Sequence, residues 1–400
     1  MRNISIITGS DLRQVQGVNY FIKSFLECNQ YFKTIKVERV YSSLQVINVN
    51  ENETIPIGVD SGTKEFVVRI GFRTLLRKLL TDKFYPFALF RYELNHYFNS
   101  TKSIKNYFND NHPVDCLIFQ ELGCAYYYFK SIEKKAKGKL PHTVLVVHTE
   151  NDSGSMIVGA FEGWGRKDMQ RRFNKRRDYV YSKIDKVVYI SKKAYNNSIL
   201  PIDKRGFVYN GSPCLESVFK ENDNSIIQFV TVGSFAGRKG QDKIIEAMSL
   251  MSSSLLKKMH LTLVGDGPEL EKVKAKVVEY NLCNYVDFLG KRNDVPEILK
   301  KMDVFIMPSL VEGLPMSAIE AMRAGLYLIL TDTGGNVELC EEKCGEICTR
   351  DPENIMKHMM NAIQGTVISF EQKRNSCNRF LSTFSLKSMA KGYENLLLSL

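Results

Sequence analysis

Residues 303–320 read DVFIMPSLVEGLPMSAIE. Val304–Met307 is a short apolar run, fit for a fully buried strand. The run stops at Pro308, and a loop follows that is closed by Pro315. Proline suits the first position of a helix, where its missing N–H has no bond to lose. A helix over Pro315–Ala324 would turn free amides and its positive dipole end toward the loop, an arrangement suited to phosphate. Two carboxylates flank that end. Glu312 sits in the loop, and Glu320 lies about a turn and a half into the helix. Neither suits a pyrophosphate, but both can accept hydrogen bonds from sugar and ribose hydroxyls. An ordinary solvated helix could carry the same pair, so the surrounding segments decide.

Four glycine-bearing turns surround the pair: Gly233–Gly240 with the cations Arg238 and Lys239, Gly265–Pro268, Leu289–Arg292, and Thr333-Gly334-Gly335-Asn336. Each follows an apolar run: Ile226–Gly233, His260–Gly265, Val286–Leu289 and Leu326–Thr331. Between them lie segments of helical spacing: Gln241–Met251, Glu269–Tyr280 and Val295–Lys301. Strands alternating with helices predict a parallel sheet covered on both faces. Ligands of such sheets sit beyond the carboxyl ends of the strands, where these turns fall. One glycine turn is weak evidence, but five loops in this order are specific. Glycines let backbone approach a phosphate, and the two cations would offset charge on a leaving diphosphate.

The first half predicts the same class less regularly. Ile4–Thr8, Cys116–Gln120, Thr143–His148 and Lys186–Ser191 read as strands, with a helix from about Val18. A polar stretch near Asn210–Asn224 reads as the linker, and Leu386–Leu398 as a last helix. The expected domains are 1–215, 216–382 and a terminal helix, 383–400, packing back toward the first domain.

In its order of motifs the second half resembles the retaining glycosyltransferases of family 4, glycosyl transferases group 1, which have the GT-B fold. Their VG…KG loop, LVGxGP turn, FLG turn, P-S-x-x-E-G-x-P-x-x-x-x-E segment and glycine pair recur here from Val230 to Gly345. The likeness extends weakly to Gly17, His148, Ser191 and Asn210-Gly211. It implies an α/β chain of two Rossmann-like parallel-sheet domains facing each other across a cleft. The implied reaction moves a sugar from a nucleotide-diphosphate sugar to a saccharide or lipid-linked saccharide, in surface polysaccharide biosynthesis. By position, Glu312 would hold hydroxyls of the donor sugar, Glu320 the ribose, and Lys239 the diphosphate. Amides around Gly313, Leu314 and Met316 would meet sugar and phosphate, and the backbone at Lys291 and Arg292 the base. Gly17 would bring the first domain's loop to the diphosphate. His148 would lie near the donor sugar, followed by a polar loop, Thr149–Asp152, suited to sugar hydroxyls. The family commonly has arginine where Ser234 stands, and Arg238 is the candidate replacement. A sugar-nucleotide epimerase or hydrolase, and a non-catalytic nucleotide-sugar-binding protein, are the competing readings.

The chain has 400 residues, net charge +11 and nine cysteines. Its length suits about two domains. No apolar run approaches the roughly 18 residues of a membrane span, and the N-terminus reads as a first strand, not a signal peptide. The expected location is the cytoplasm, at or near the inner face of the membrane. Cys340, Cys344 and Cys348 recur every four residues, but Gly345 interrupts the run and no fourth ligand is near. No metal and no cofactor is expected, and no nucleic acid.

Residues 1–200 carry 31 basic and 19 acidic side chains, whereas 201–400 carry 24 and 25. A one-sided surplus points to an anionic partner for the first half. Its densest segments are Arg69–Leu80 and the run Arg166, Lys167, Arg171, Arg172, Lys175, Arg176, Arg177, interleaved with Phe161, Trp164 and Phe173. These residues, Arg166, Arg171, Arg172 and Arg176 foremost, are candidates for contact with a lipid-linked acceptor or an anionic membrane. A solvated helix face is the plainer alternative.

Overall fold

The computed structural model describes residues 1–12, 17–49, 89, 93–135, 139–154, 163–215, 226–365 and 367–400. The chain forms two compact units. The first takes Met1–Ile190, Ala194–Val208 and Ala390–Leu400, and the second Ser191–Lys193 and Tyr209–Met389. Arg69–Leu80 and Phe161, and the side chain of Trp164, lie outside the described residues.

The first unit is built on seven strands: β1 (Arg2–Ile7), β2 (Ile35–Tyr41), β3 (Val46–Asn48), β4 (Cys116–Phe119), β5 (His142–Val147), β6 (Lys186–Tyr189) and β7 (Arg205–Phe207). Their order is β3-β2-β1-β4-β5-β6-β7. All pairs are parallel except the edge, where β3 runs antiparallel to β2. An antiparallel edge on a parallel sheet is a common variation. The order reverses direction between β1 and β4, the place where doubly wound sheets open a crevice. Ile4, Ile6, Ile7, Leu117, Ile118 and Phe119 are buried in these central strands, as two covered faces require.

The helix Leu386–Leu398 closes this unit with its second half. Tyr393 meets Phe25 edge-on at 4.6 Å between ring centroids and Phe21 at 6.1 Å. Glu394 accepts the backbone N–H groups of Lys33 and Thr34 at 2.7 and 2.6 Å.

The second unit holds β8 (Ile227–Val232), β9 (Met259–Val264), β10 (Val286–Gly290), β11 (Val304–Met307), β12 (Tyr327–Thr331) and β13 (Gly345–Cys348), in the order β10-β9-β8-β11-β12-β13. Every pair is parallel. Here the order reverses between β8 and β11. β11 and β12 are buried along their whole length, which explains their uninterrupted apolar sequence. The helix Pro352–Ile363 shows the local logic plainly. Asp351 caps it through the Asn354 N–H, Pro352 occupies the first turn, and Ile355, Met359, Ala362 and Ile363 bury one face.

The helix after β11 spans Met316–Arg323, with Pro315 at its N-cap in extended conformation. The expected start at Pro315 is therefore one residue early, because the proline's ψ of 119° is not helical. Cys340 ends a short helix, Cys344 follows it and Cys348 ends β13, so the three share no helical face. All three are buried, and burial pushes the thiols up, Cys348 to about 12. Among the described residues, no group of three or more His, Cys, Asp or Glu could hold a metal ion. Among the same residues, no helix is long and apolar enough to cross a membrane.

Candidate active site

In the second unit, the loops after β8 and β11 meet beyond the switch point. The Leu310 N–H donates to the Arg238 carbonyl at 2.6 Å, and Arg238 Nη1 donates to the Val311 carbonyl at 3.2 Å. Gly240 sits under this contact with φ 76°, and a Cβ there would collide with the Pro308 carbonyl. The loop after β12 joins from the other side. Thr331 Oγ1 donates to the Ser309 carbonyl at 2.6 Å, Glu312 N–H donates to Thr333 Oγ1 at 3.3 Å, and Gly335 N–H donates to the Gly313 carbonyl at 2.6 Å. Gly334, at φ 54°, has no room for a side chain against the Glu312 and Gly313 carbonyls. At these two positions glycine serves the approach of one loop to another. Gly237, where a Cβ would meet nothing, remains open.

This frame fixes Glu312. Its side chain is almost buried, and Lys239 Nζ lies 2.6 Å from Oε1 with Arg238 Nη1 3.5 Å from the same oxygen. Lys239 is largely buried and Arg238 is about one-third exposed. Three residues expected at one ligand are thus brought together, with two cations on one carboxylate oxygen. Gly313 and Leu314 are buried, Met316 opens the helix, and Glu320 is half-buried on it. The first amides of that helix have no intrahelical acceptor, so its start is electropositive.

The other expected residues are placed as follows. Ser234 is exposed, and its carbonyl accepts Gln241 Nε2 at 3.1 Å. Lys291 and Arg292 follow the edge strand β10, both exposed, with Arg292 bidentate to Asp294 at 2.8 and 2.7 Å. Gly17 begins the helix Gly17–Glu27 of the first unit, exposed and with open space at its Cβ. His148, also in the first unit, follows β5. Its Nε2 is 2.8 Å from Gln120 Oε1, its ring packs edge-on to Phe21, and burial pushes the imidazole down to about 4.

The loop after His148 differs from expectation at Asp152. Its carboxylate is buried and accepts the Tyr181 hydroxyl at 2.6 Å, the Tyr189 hydroxyl at 2.8 Å and the Ile199 N–H at 3.1 Å. It ties the loop down, because a buried carboxylate must be fully hydrogen-bonded, and has no capacity to spare for a sugar. Asn151 holds Ser153 in the same loop.

The basic helix, Gly163–Lys183, is also partly occupied. Buried Asp168 accepts Arg171 at 2.6 Å and Arg172 at 2.7 Å. The guanidinium of Arg176 stacks 3.8 Å from the Tyr97 ring centre and pairs with Glu93 at 2.7 Å. That is a packing position, with cation–π and ion-pair contacts. Arg166 and Lys167 are exposed.

Several contributors were not foreseen. Thr333 supports Glu312, and Arg350 reaches the Gly237 carbonyl at 3.1 Å. Glu338 accepts the N–H groups of Lys192 and Lys193, both at 2.9 Å. In the first unit Glu121 gathers the Thr8 hydroxyl, the Gly9 N–H and the Ser10 hydroxyl within 2.8–2.9 Å, shaping the loop after β1. Thr333 could have been found from its place directly before the pair Gly334-Gly335. Glu121 stands beside a predicted strand end, but its partners are over a hundred residues away.

A doubly wound sheet with a buried carboxylate, two cations and a helix start at its switch point is an arrangement in which α/β sheets can take an anionic ligand. Comparison narrows the kind: residues 216–379 match the model of the family glycosyl transferases group 1. Among curated relatives, an Escherichia coli UDP-Gal:alpha-D-GlcNAc-diphosphoundecaprenol alpha-1,3-galactosyltransferase is 27% identical over 197 residues, 47% of this chain and 50% of that protein. The lipopolysaccharide glucosyltransferase WaaG of Escherichia coli K12 is 33% identical over 130 residues, 32% of this chain and 33% of its own. The chain thus spans half or less of the length of these relatives. Solved structures resemble it along nearly its whole length. The lipopolysaccharide outer core galactosyltransferase WaaB, in its apo form, has TM-score 0.65 at 16% identity, covering 99% of both chains. Anabaena HepE in complex with UDP has TM-score 0.68 at 15% identity, covering 100% of both. The fold is therefore of the GT-B class.

Proposed function

We propose that this chain is a retaining glycosyltransferase that moves a hexosyl or N-acetylhexosaminyl group from a nucleotide-diphosphate sugar to a saccharide or lipid-linked saccharide, in the assembly of a surface polysaccharide. The observation that carries this reading is the cluster of Glu312, Lys239 and Arg238 beside the start of the helix Met316–Arg323. Lys239 exchanges its salt bridge to Glu312 for the donor diphosphate. Glu312, released, accepts hydrogen bonds from donor sugar hydroxyls. Amides of Gly313, Leu314 and Met316 receive phosphate and sugar oxygens, Glu320 the ribose hydroxyls, and the backbone at Lys291 and Arg292 the base. In the first unit, Gly17 and His148 are the candidates for contact with the sugar substrate.

Charge develops on the diphosphate as the glycosidic bond breaks. Lys239, Arg238 and the helix dipole stabilise it without a metal, and fixed donors of this kind are each worth about 10²–10³ in rate. The departing phosphate takes the acceptor hydroxyl proton on the face it leaves, which retains the anomeric configuration. The likeness to a diphosphoundecaprenol-dependent galactosyltransferase supports a lipid-diphosphate acceptor, and the exposed cations Arg166 and Lys167 support contact with its anionic surroundings.

Titration calorimetry with UDP-, GDP- and ADP-sugars, followed by hydrolysis of each donor without acceptor, tests the reading. One base series should bind and release nucleoside diphosphate slowly. Binding without turnover under any acceptor mixture would favour a non-catalytic binding protein, and release of an epimerised sugar would favour an epimerase.

A further inference from the structure

Gln120 directly follows β4 and His148 directly follows β5, and the two strands pair in parallel with Phe119 opposite Leu145. The Gln120 N–H donates to the Ile7 carbonyl at 3.0 Å, which fixes the backbone that carries the amide. Its Oε1 then lies 2.8 Å from His148 Nε2. Phe21 covers the ring, with centroids 4.8 Å apart. Burial alone depresses the imidazole, with no charged group contributing, so the ring is neutral near pH 7. A neutral imidazole has a single N–H, and an amide oxygen can only accept. With the amide oxygen turned to the ring, the tautomer that fits carries its proton on Nε2 and presents a lone pair at Nδ1.

The other end of Gln120 is informative. The residue is 3% exposed, and its Nε2 has no hydrogen-bond partner among the described residues. A glutamine serving packing alone would satisfy both ends, since an unpaired buried amide donor is unfavourable. This one satisfies only the end that faces the histidine.

We propose that Gln120 is a positioning residue that holds His148 as the neutral Nε2–H tautomer, so that Nδ1 accepts a hydrogen bond from a hydroxyl of the sugar substrate. The inference rests on the reading of glycosyl transfer given above. The opposite tautomer would present a donor where an acceptor is needed and would set Nε2 lone pair against amide oxygen.

Long-range ¹⁵N–¹H spectra of histidine-labelled protein test it directly, with His148 assigned by the signal lost in His148→Asn. The expected spectrum has a protonated Nε2 and an unprotonated Nδ1 in the wild type. Gln120→Leu should mix the tautomers and lower kcat about 10–100-fold. Gln120→Glu should restore the tautomer and raise the pKa of His148 by placing a carboxylate at Nε2. The acidic limb of the kcat profile then lies at higher pH in that variant than in the wild type. A wild-type His148 protonated on Nδ1 overturns the proposal, and so does wild-type kcat in a folded Gln120→Leu. The wild-type spectrum decides even if the variants do not fold. The expected tautomer in a protein that turns over no nucleotide sugar overturns the sugar-hydroxyl role together with the function. The spectrum separates that outcome from a failure of Gln120 itself.

Discussion

One carboxylate oxygen of Glu312 receives both Lys239 and Arg238, in a loop with little access to water. Removing one member leaves a nearly buried charge short of a partner, which costs more than the pair contributes. Lys239→Met is therefore expected to lower stability, and Glu312→Gln in the same chain to recover part of the loss. The coupling should be about 1–3 kcal/mol in urea unfolding. Activity should not recover, because both groups serve the donor; each single change should cost about 10²–10³ in kcat/KM. Strictly additive stability losses would contradict the pairing. His148 gives a second test. Its value of about 4 lies below the ordinary 6.5, so between these the unfolded chain binds the proton more readily. Its contribution to stability is complete above pH 6.5 and lost as pH falls toward 4. NMR titration should show His148 unprotonated at pH 6; a midpoint at or above 6.5 would contradict its burial. Glu312 and Lys239 were legible because proline and glycine punctuate their loops. Asp152 was misread as a ligand group because the tyrosines that claim it, Tyr181 and Tyr189, lie 29 and 37 residues further on.

Elements were legible where the sequence period was unbroken. β11 and β12 are buried on both faces and read as continuous apolar runs. β2 was missed for a structural reason. Its pairing with β1 shifts register between Ile4 and Ser5, so the buried positions step from Ile35 and Val37 to Val40 and Tyr41. The irregularity breaks the alternation that marks a strand. The helix Asn99–Asp110 escaped because it buries Ser100 and Ser103 along with Ile104, with Ser103 Oγ donating to the Thr8 carbonyl at 2.6 Å. In the helix Leu386–Leu398, Tyr393 is fully buried and its hydroxyl has no partner among the described residues. Tyr393→Phe should therefore leave stability unchanged or raise it by about 1 kcal/mol. Tyr393→Ala should cost about 3–5 kcal/mol by opening a cavity against Phe21 and Phe25. Denaturant melts of the two variants check this, and a destabilised phenylalanine variant would show that the hydroxyl is bonded.

At the scale of the whole molecule, the parallel sheet of the second half was legible from its loops and strand runs, and the GT-B class from the resemblance of their order to a known family. The charge was legible as a total but not as a surface. Arg172 and Arg176 are held by Asp168 and Glu93, which leaves Arg166 and Lys167 among the exposed cations of the basic helix. If these serve a membrane-bound acceptor, flotation with anionic vesicles at low salt should recover the protein, and binding should fall as salt screens the charge. The double change Arg166→Glu, Lys167→Glu should weaken flotation with little effect on donor hydrolysis. Equal recovery on neutral vesicles would contradict an electrostatic contact.

The central claim is that the Glu312–Lys239–Arg238 cluster activates a nucleotide-diphosphate sugar with retention. Time-resolved proton NMR of the accepted donor, incubated with wild type and with Lys239→Ala, tests it most directly. The account predicts release of nucleoside diphosphate and a first-formed sugar with the donor's anomeric configuration, at least 10²-fold slower in the variant. An inverted first product, or equal rates in the two proteins, would contradict it.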